Sequence, residues 1–184
     1  MALHGVMIES EIQATNIDSL NKFMVSTVDI DGGNIFAAVP SATQGEDRFT
    51  ATVPTSTTLG GLYMAYNPSE HYTEVNGKFF AGLSEDPRDY TNIKDRTFTG
   101  FKIKKGDQVV LTIDDIDSTG ASAVAGDILE SKAGQTKLTR IAKATGATAG
   151  STAFTIDYVG TAQYPQAGIG MNGYKVVKAT CIQE

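Results

Sequence analysis

Apolar residues take every second position on both sides of Gly106-Asp107. Phe101 and Ile103 stand before it and Val109, Leu111 and Ile113 after it, interleaved with Lys102, Lys104, Gln108, Val110 and Thr112. A period of two puts alternate side chains on one face, so the stretch predicts two strands, each burying one face, joined by a Gly-Asp turn. A second Gly-Asp, at Gly126-Asp127, again leads into an apolar pair, Ile128-Leu129. The same reading predicts strands over residues 23–28, 35–39, 49–53, 62–66, 154–159 and 174–182. Asp31-Gly32-Gly33-Asn34 reads as the turn of a hairpin between the first two, and Asn76-Gly77, between Val75 and Lys78-Phe79, as a two-residue hairpin turn. Residues 84–95 are polar, contain Asp86-Pro87 and read as a long surface loop. Residues 118–123 form a small-residue connector, residues 136–144 fit a strand or a short helix equally, and residues 144–152 have the composition of a flexible loop.

Before the first strand the pattern fades. Ile8, Ile12, Ile17, Leu20, Phe23 and Met24 fit a helical spacing only loosely, and Asn16, Asp18, Ser19 and Asn21 interrupt it. Residues 1–20 therefore read as an extended N-terminal arm, with Ala2 to Leu20 as a contact segment for a partner. The predicted fold class is mainly β: a β-sandwich or small barrel-like antiparallel domain with long loops. One β-rich lobe spans 21–117 and a second spans 118–184, with one continuous domain as the alternative.

The 184 residues are enough to bury about 70% of the unfolded surface, so a core needs no staples. The net charge of −6 lies in the first hundred residues, with 6 Lys and Arg against 13 Asp and Glu; the remainder carries 9 against 8. A protein that grips nucleic acid needs a basic face, so none is expected as a partner. Cys181, the single cysteine, excludes an intramolecular disulfide and suits a reducing compartment. Its strand-like neighbours Ala179, Thr180 and Ile182 favour a small buried hydrophobe over a nucleophile. The N-terminus has no basic and apolar leader pattern, and no run approaches the ~20 apolar residues of a membrane span. A soluble, unexported chain without a membrane partner is expected.

Gly168-Ile-Gly170-Met-Asn-Gly173 is a literal G-x-G-x-x-G, but a dinucleotide site needs a helix after it and an acidic residue ~20 positions on. A strand-like tail follows instead, so a glycine-rich turn is expected. Asp29 with Asp31, and Asp114 with Asp115 and Asp117, offer oxygen ligands for a hard cation without completing a calcium loop; solvated carboxylates are the simpler reading, and no metal is expected. His4 and His71 lack zinc-site spacing, and no serine elbow accompanies them. Tyr63, Tyr66, Tyr72 and Tyr90 fit either a sugar-binding platform or ordinary strand packing. No catalytic or cofactor-binding residue is assigned, and no enzyme is expected.

Several phrases occur in a telling order: Asp29-Ile-Asp-Gly-Gly-Asn34, Leu59-Gly-Gly-Leu-Tyr-Met-Ala-Tyr-Asn-Pro68, Glu85-Asp-Pro-Arg-Asp-Tyr-Thr-Asn92, Phe101 to Ile113, Ala125-Gly-Asp-Ile-Leu129, Thr136-Lys-Leu138 and Tyr174-Lys-Val-Val-Lys178. Together they resemble the head decoration (cement) proteins and related capsid-associated structural proteins of tailed bacteriophages. Tyr66-Asn67-Pro68-Ser69 departs from the aromatic strand with a Pro-Glu stop usual in that group. The resemblance implies a non-enzymatic virion protein on the capsid exterior, made in the host cytoplasm. Its implied partners are the major capsid protein and copies of itself, a trimer being favoured. A tail or head-fibre module and a carbohydrate-binding β-sandwich are the alternative readings.

Overall fold

Five strands close into a small barrel, and five more form a sheet packed against its wall. The computed structural model describes residues 4–9, 12–13, 21–41, 48–68, 74–75, 78–79, 87–162 and 174–184. The strands are β1 (Asn21–Ser26), β2 (Ile35–Pro40), β3 (Arg48–Thr52), β4 (Tyr63–Ala65), β5 (Glu74–Val75), β6 (Lys78–Phe79), β7 (Thr97–Lys102), β8 (Gln108–Thr112), β9 (Ile128–Glu130), β10 (Thr139–Ile141), β11 (Ala153–Ala162) and β12 (Tyr174–Gln183). The barrel closes in the order β1-β3-β2-β4-β7, the sheet runs β10-β9-β11-β12-β8, and β5 pairs with β6. The fold is mainly β.

Alternation along the barrel strands sorts two cores. Phe36, Ala65, Phe98 and Met24 point inward and fill the barrel, with Phe36 and Phe98 in an edge-to-face contact at 5.4 Å. The intervening residues Ile35, Met64 and Phe101 point outward and meet Val109, Leu111, Leu129, Phe154 and Val177 from the sheet. Ile35 faces Met64, and Met64 faces Phe101, across adjacent strands, so this apolar band is continuous over the wall. Barrel and sheet thus share one core, and the chain passes between them at the Gly106 turn.

Four expectations need correction. The hairpin across residues 31–34 does not form: β3 lies between β1 and β2 and pairs in parallel with β1, the one parallel pair in the barrel. The turn itself is present, with Asn34 N–H donating to the Asp31 carbonyl at 3.2 Å, but β3 separates the two strands that it joins. Residues 87–92 are likewise more than a surface loop, because Asn92 is buried and its side-chain amide donates to the Tyr66 carbonyl at 2.8 Å. In β8, Val110 and Thr112 are buried along with Val109 and Leu111, while Ile113 is only half-buried, so both faces of that strand are covered. Residues 144–152 are tied down: Thr148 N–H donates to Glu130 at 3.0 Å, Thr152 N–H to the Leu59 carbonyl at 2.7 Å, and both Ser151 and Thr152 are buried.

The two Gly-Asp phrases build the same turn twice. In each the Asp N–H donates to the carbonyl three residues back (Lys104, Val124), and the Asp carboxylate accepts from that residue's N–H, at 2.8 Å in the first and 3.2 Å in the second. Gly106 and Gly126 hold φ of 96° and 90°, a region costly for other residues. The docking repeats as well: Gly106 N–H donates to the Cys181 carbonyl and Gly126 N–H to Ile156, while Cys181 and Ile156 N–H return bonds to the carbonyls of Asp107 and Asp127. Each turn therefore seats one strand, β8 or β9, antiparallel beside one arm of the β11–β12 pair.

Candidate functional site: a polar clamp on the N-terminal strand

Of the segment expected as an arm, residues 4–9 and 12–13 are described, and they lie along β8. Met7 bridges Leu111 and Gln13 bridges Gln108, both antiparallel. Ile8 N–H donates to the Val110 carbonyl, and Thr112 N–H to the Val6 carbonyl. The segment acts as a sixth strand covering the edge that β8 would otherwise leave open. Its three consecutive apolar residues divide between the two sides. Met7 enters the core shared with the barrel, and Val6 and Ile8 join Val110, Tyr174 and Val176 on the far face. The Arg88 guanidinium lies 4.1 Å over the Tyr174 ring beside that outer cluster.

Polar side chains from three places grip this strand. From the barrel, Asn67 accepts from Met7 N–H at 3.0 Å and donates to the Met7 carbonyl at 2.6 Å, while its own N–H donates to Glu9 at 2.9 Å. Asp31 holds the His4 ring at 2.8 Å from Nδ1 and accepts from Gly5 N–H at 3.2 Å. From β8, the Thr112 hydroxyl accepts from Val6 N–H at 2.9 Å and donates to Asp115 at 3.2 Å. Asp115 is fully buried and also accepts from the Asn34 side chain at 3.4 Å. A Cβ on Gly5 would fall 1.8 Å from its Oδ1 and one on Gly33 2.8 Å from its Cγ, so the carboxyl is wedged between two backbones.

This setting decides the charges. Burial pushes the Asp115 carboxyl well above the usual carboxylate range, and the nearby Asp31 charge adds to it against the Thr112 hydrogen bond. Burial also works against the Asp31 charge, but the hydrogen bonds from His4 and Gly5 outweigh it and hold that carboxyl below its ordinary value. The hydrogen bond to Asp31 raises His4, against partial burial. The shifts run in opposite senses: His4 and Asp115 hold their protons more tightly than usual and Asp31 less.

The two acidic groups singled out in the sequence are separated by function. Asp29 accepts from Lys94 N–H at 2.9 Å, the Asp114 carbonyl accepts from Lys137 Nζ at 2.6 Å, and Asp117 caps the short 3-10 turn Ser118–Ser122 and accepts from the Thr139 hydroxyl at 2.7 Å. Only Asp31 and Asp115 come together, and no group of three or more His, Cys, Asp or Glu is placed to hold a metal among the described residues. Tyr63 stacks on Phe36 and Tyr66 tilts against Phe101, so these two pack into the cores. Cys181 is buried and its thiol is pushed up to about 11 by burial. His71, Tyr72 and Gly168 to Gly173 lie outside the described residues. Sequence reading missed Gly5, Asn34, Asn67 and Thr112. Each acts on a residue far along the chain, as Thr112 does on Val6 across 106 positions, and no local pattern signals that.

No family model matches the chain, and no curated protein or solved structure is similar enough to match it. Among the described residues no helix is long and apolar enough to cross a membrane.

Proposed function

We propose that the chain is a non-enzymatic virion structural protein that binds the outer surface of a phage capsid and decorates or stabilises it. Its partners in this reading are the major capsid protein and copies of itself, with a trimer favoured, and it reaches the capsid exterior after synthesis in the host cytoplasm. The resemblance in the ordered phrases supports it, and the observation that carries it is the bare half of the barrel wall. One half of that wall is buried under the sheet. On the other, Phe23 is 59% and Val39 47% exposed, with half-buried Val25 and Thr50 between them in register. A closed barrel has no edge to offer, so an apolar wall of this kind is its means of attaching to another protein. Repeated copies on a lattice turn modest contacts into firm retention.

The test is co-sedimentation of the purified chain with capsids built from the major capsid protein encoded nearest to it. Retention of the wild type and at least a tenfold loss in Phe23→Ser/Val39→Ser is the expected outcome, with stability changed by no more than about 0.5 kcal/mol, as for surface substitutions. A wild-type chain that stays in the supernatant overturns the reading.

A further inference from the structure

The clamp on the N-terminal strand has a property that a merely structural contact lacks: three of its titratable members, His4, Asp31 and Asp115, sit where one strand, a barrel loop and the turn after β8 converge. We propose that His4, Asp31 and Asp115 form a charge-operated latch that holds the N-terminal strand on the edge of β8 and releases it as the solution turns alkaline. This reading is independent of the virion proposal.

The geometry sets the mechanism. Asp31 holds the strand through the His4 ring and Gly5 N–H. Asp115 holds it through Thr112, whose hydroxyl links the carboxyl to Val6 N–H. Gly5 and Gly33 lie so close to Asp115 that neither position has room for a side chain, and the carboxyl is fully buried. While His4 is protonated and Asp115 neutral, the cluster is electrically balanced. Loss of both protons leaves two carboxylates without their imidazolium, one of them with no solvent, and the nearest relief is for the strand above them to lift.

The signs agree. A raised folded-state value means stability that is present at low pH and lost as pH rises toward that value. This holds for His4 above its ordinary 6.5 and for Asp115 above its ordinary 3.8. Asp31 is lowered, so its contribution is present above its ordinary 3.8 and disappears only in stronger acid. Other groups facing the cluster are Asp29 toward His4, Asp114 toward Asp115, and Lys137 toward both. Glu9, raised by burial, faces Asn67 on the same strand, and Arg88 lies on the outer side, where its carbonyl accepts from His4 N–H. Of the two cations among these, Arg88 lies over the Tyr174 ring on the outer side, and Lys137, which faces both His4 and Asp115, is engaged with the Asp114 carbonyl.

The experiment is amide hydrogen exchange on the full chain from about pH 5 to pH 9, expressed as protection factors so that the intrinsic pH dependence cancels. Protection at Ile8 and Gln13 should fall at least tenfold over that range while Val177, in the middle of the sheet, holds. Asp115→Asn keeps the shape without a titrating proton and should retain only the part of the fall that His4 supplies; adding His4→Gln should flatten the profile. His4→Gln alone, at a partly exposed site, provides the test if the double variant does not fold, and it should shrink the fall in wild-type background. A flat wild-type profile, or a double variant that still loses protection with pH, overturns the latch.

Discussion

Single residues here are constrained by neighbours far along the chain. Gly5 is the clearest case, because its missing side chain is the space that Asp115 occupies. Gly5→Ala should cost about 1–3 kcal/mol, as overpacking of a closed site does, measured by urea unfolding. The loss should be accompanied by weaker protection at Ile8, since the same backbone donates to Asp31. Cys181 makes the opposite point, that a lone thiol can be inert. With its ionisation pushed up to about 11, only about one molecule in a thousand carries the thiolate at pH 8. Iodoacetamide should therefore label the native chain at least a hundredfold more slowly than the urea-unfolded one, and comparable rates would show that the site opens freely.

At the scale of elements, the twin Gly-Asp turns explain what was legible and what was not. Both were readable because their hydrogen bonds run between residues three apart, and the strands that follow them keep a period of two. Asp107→Ala removes one acceptor and should cost about 1–2 kcal/mol in urea unfolding. Asp127→Ala should cost about 2–3 kcal/mol, since its carboxylate accepts from Arg140 Nε at 2.7 Å and from Lys143 N–H at 3.3 Å as well as from Val124 N–H. The N-terminal strand was illegible for the converse reason. Val6, Met7 and Ile8 are buried on alternate sides of one strand, so their run shows no period, and their partners lie a hundred residues away. The parallel pairing of β1 with β3 is not legible because the turn at 31–34 forms as its sequence suggests, while the strand inserted between its two arms comes from further along the chain.

In the whole molecule, the apolar band of Ile35, Met64 and Phe101 makes barrel and sheet a single thermodynamic unit. Phe101→Ala should cost about 3–5 kcal/mol and leave one unfolding transition, with barrel and sheet amides losing protection together. Two separate transitions would mean that the shared core contributes less than each part's own. The placement of the N-terminal strand also bears on how the chain is made. Residues 4–9 are synthesised about 100 residues before their seat on β8, an interval of about 5–20 s at ordinary elongation rates. Through that interval the segment waits with Val6, Met7 and Ile8 unburied. On a crowded polysome the vacant edge of one nascent chain faces the waiting segment of the next, so the speed with which each chain captures its own beginning governs the yield of correctly paired monomers.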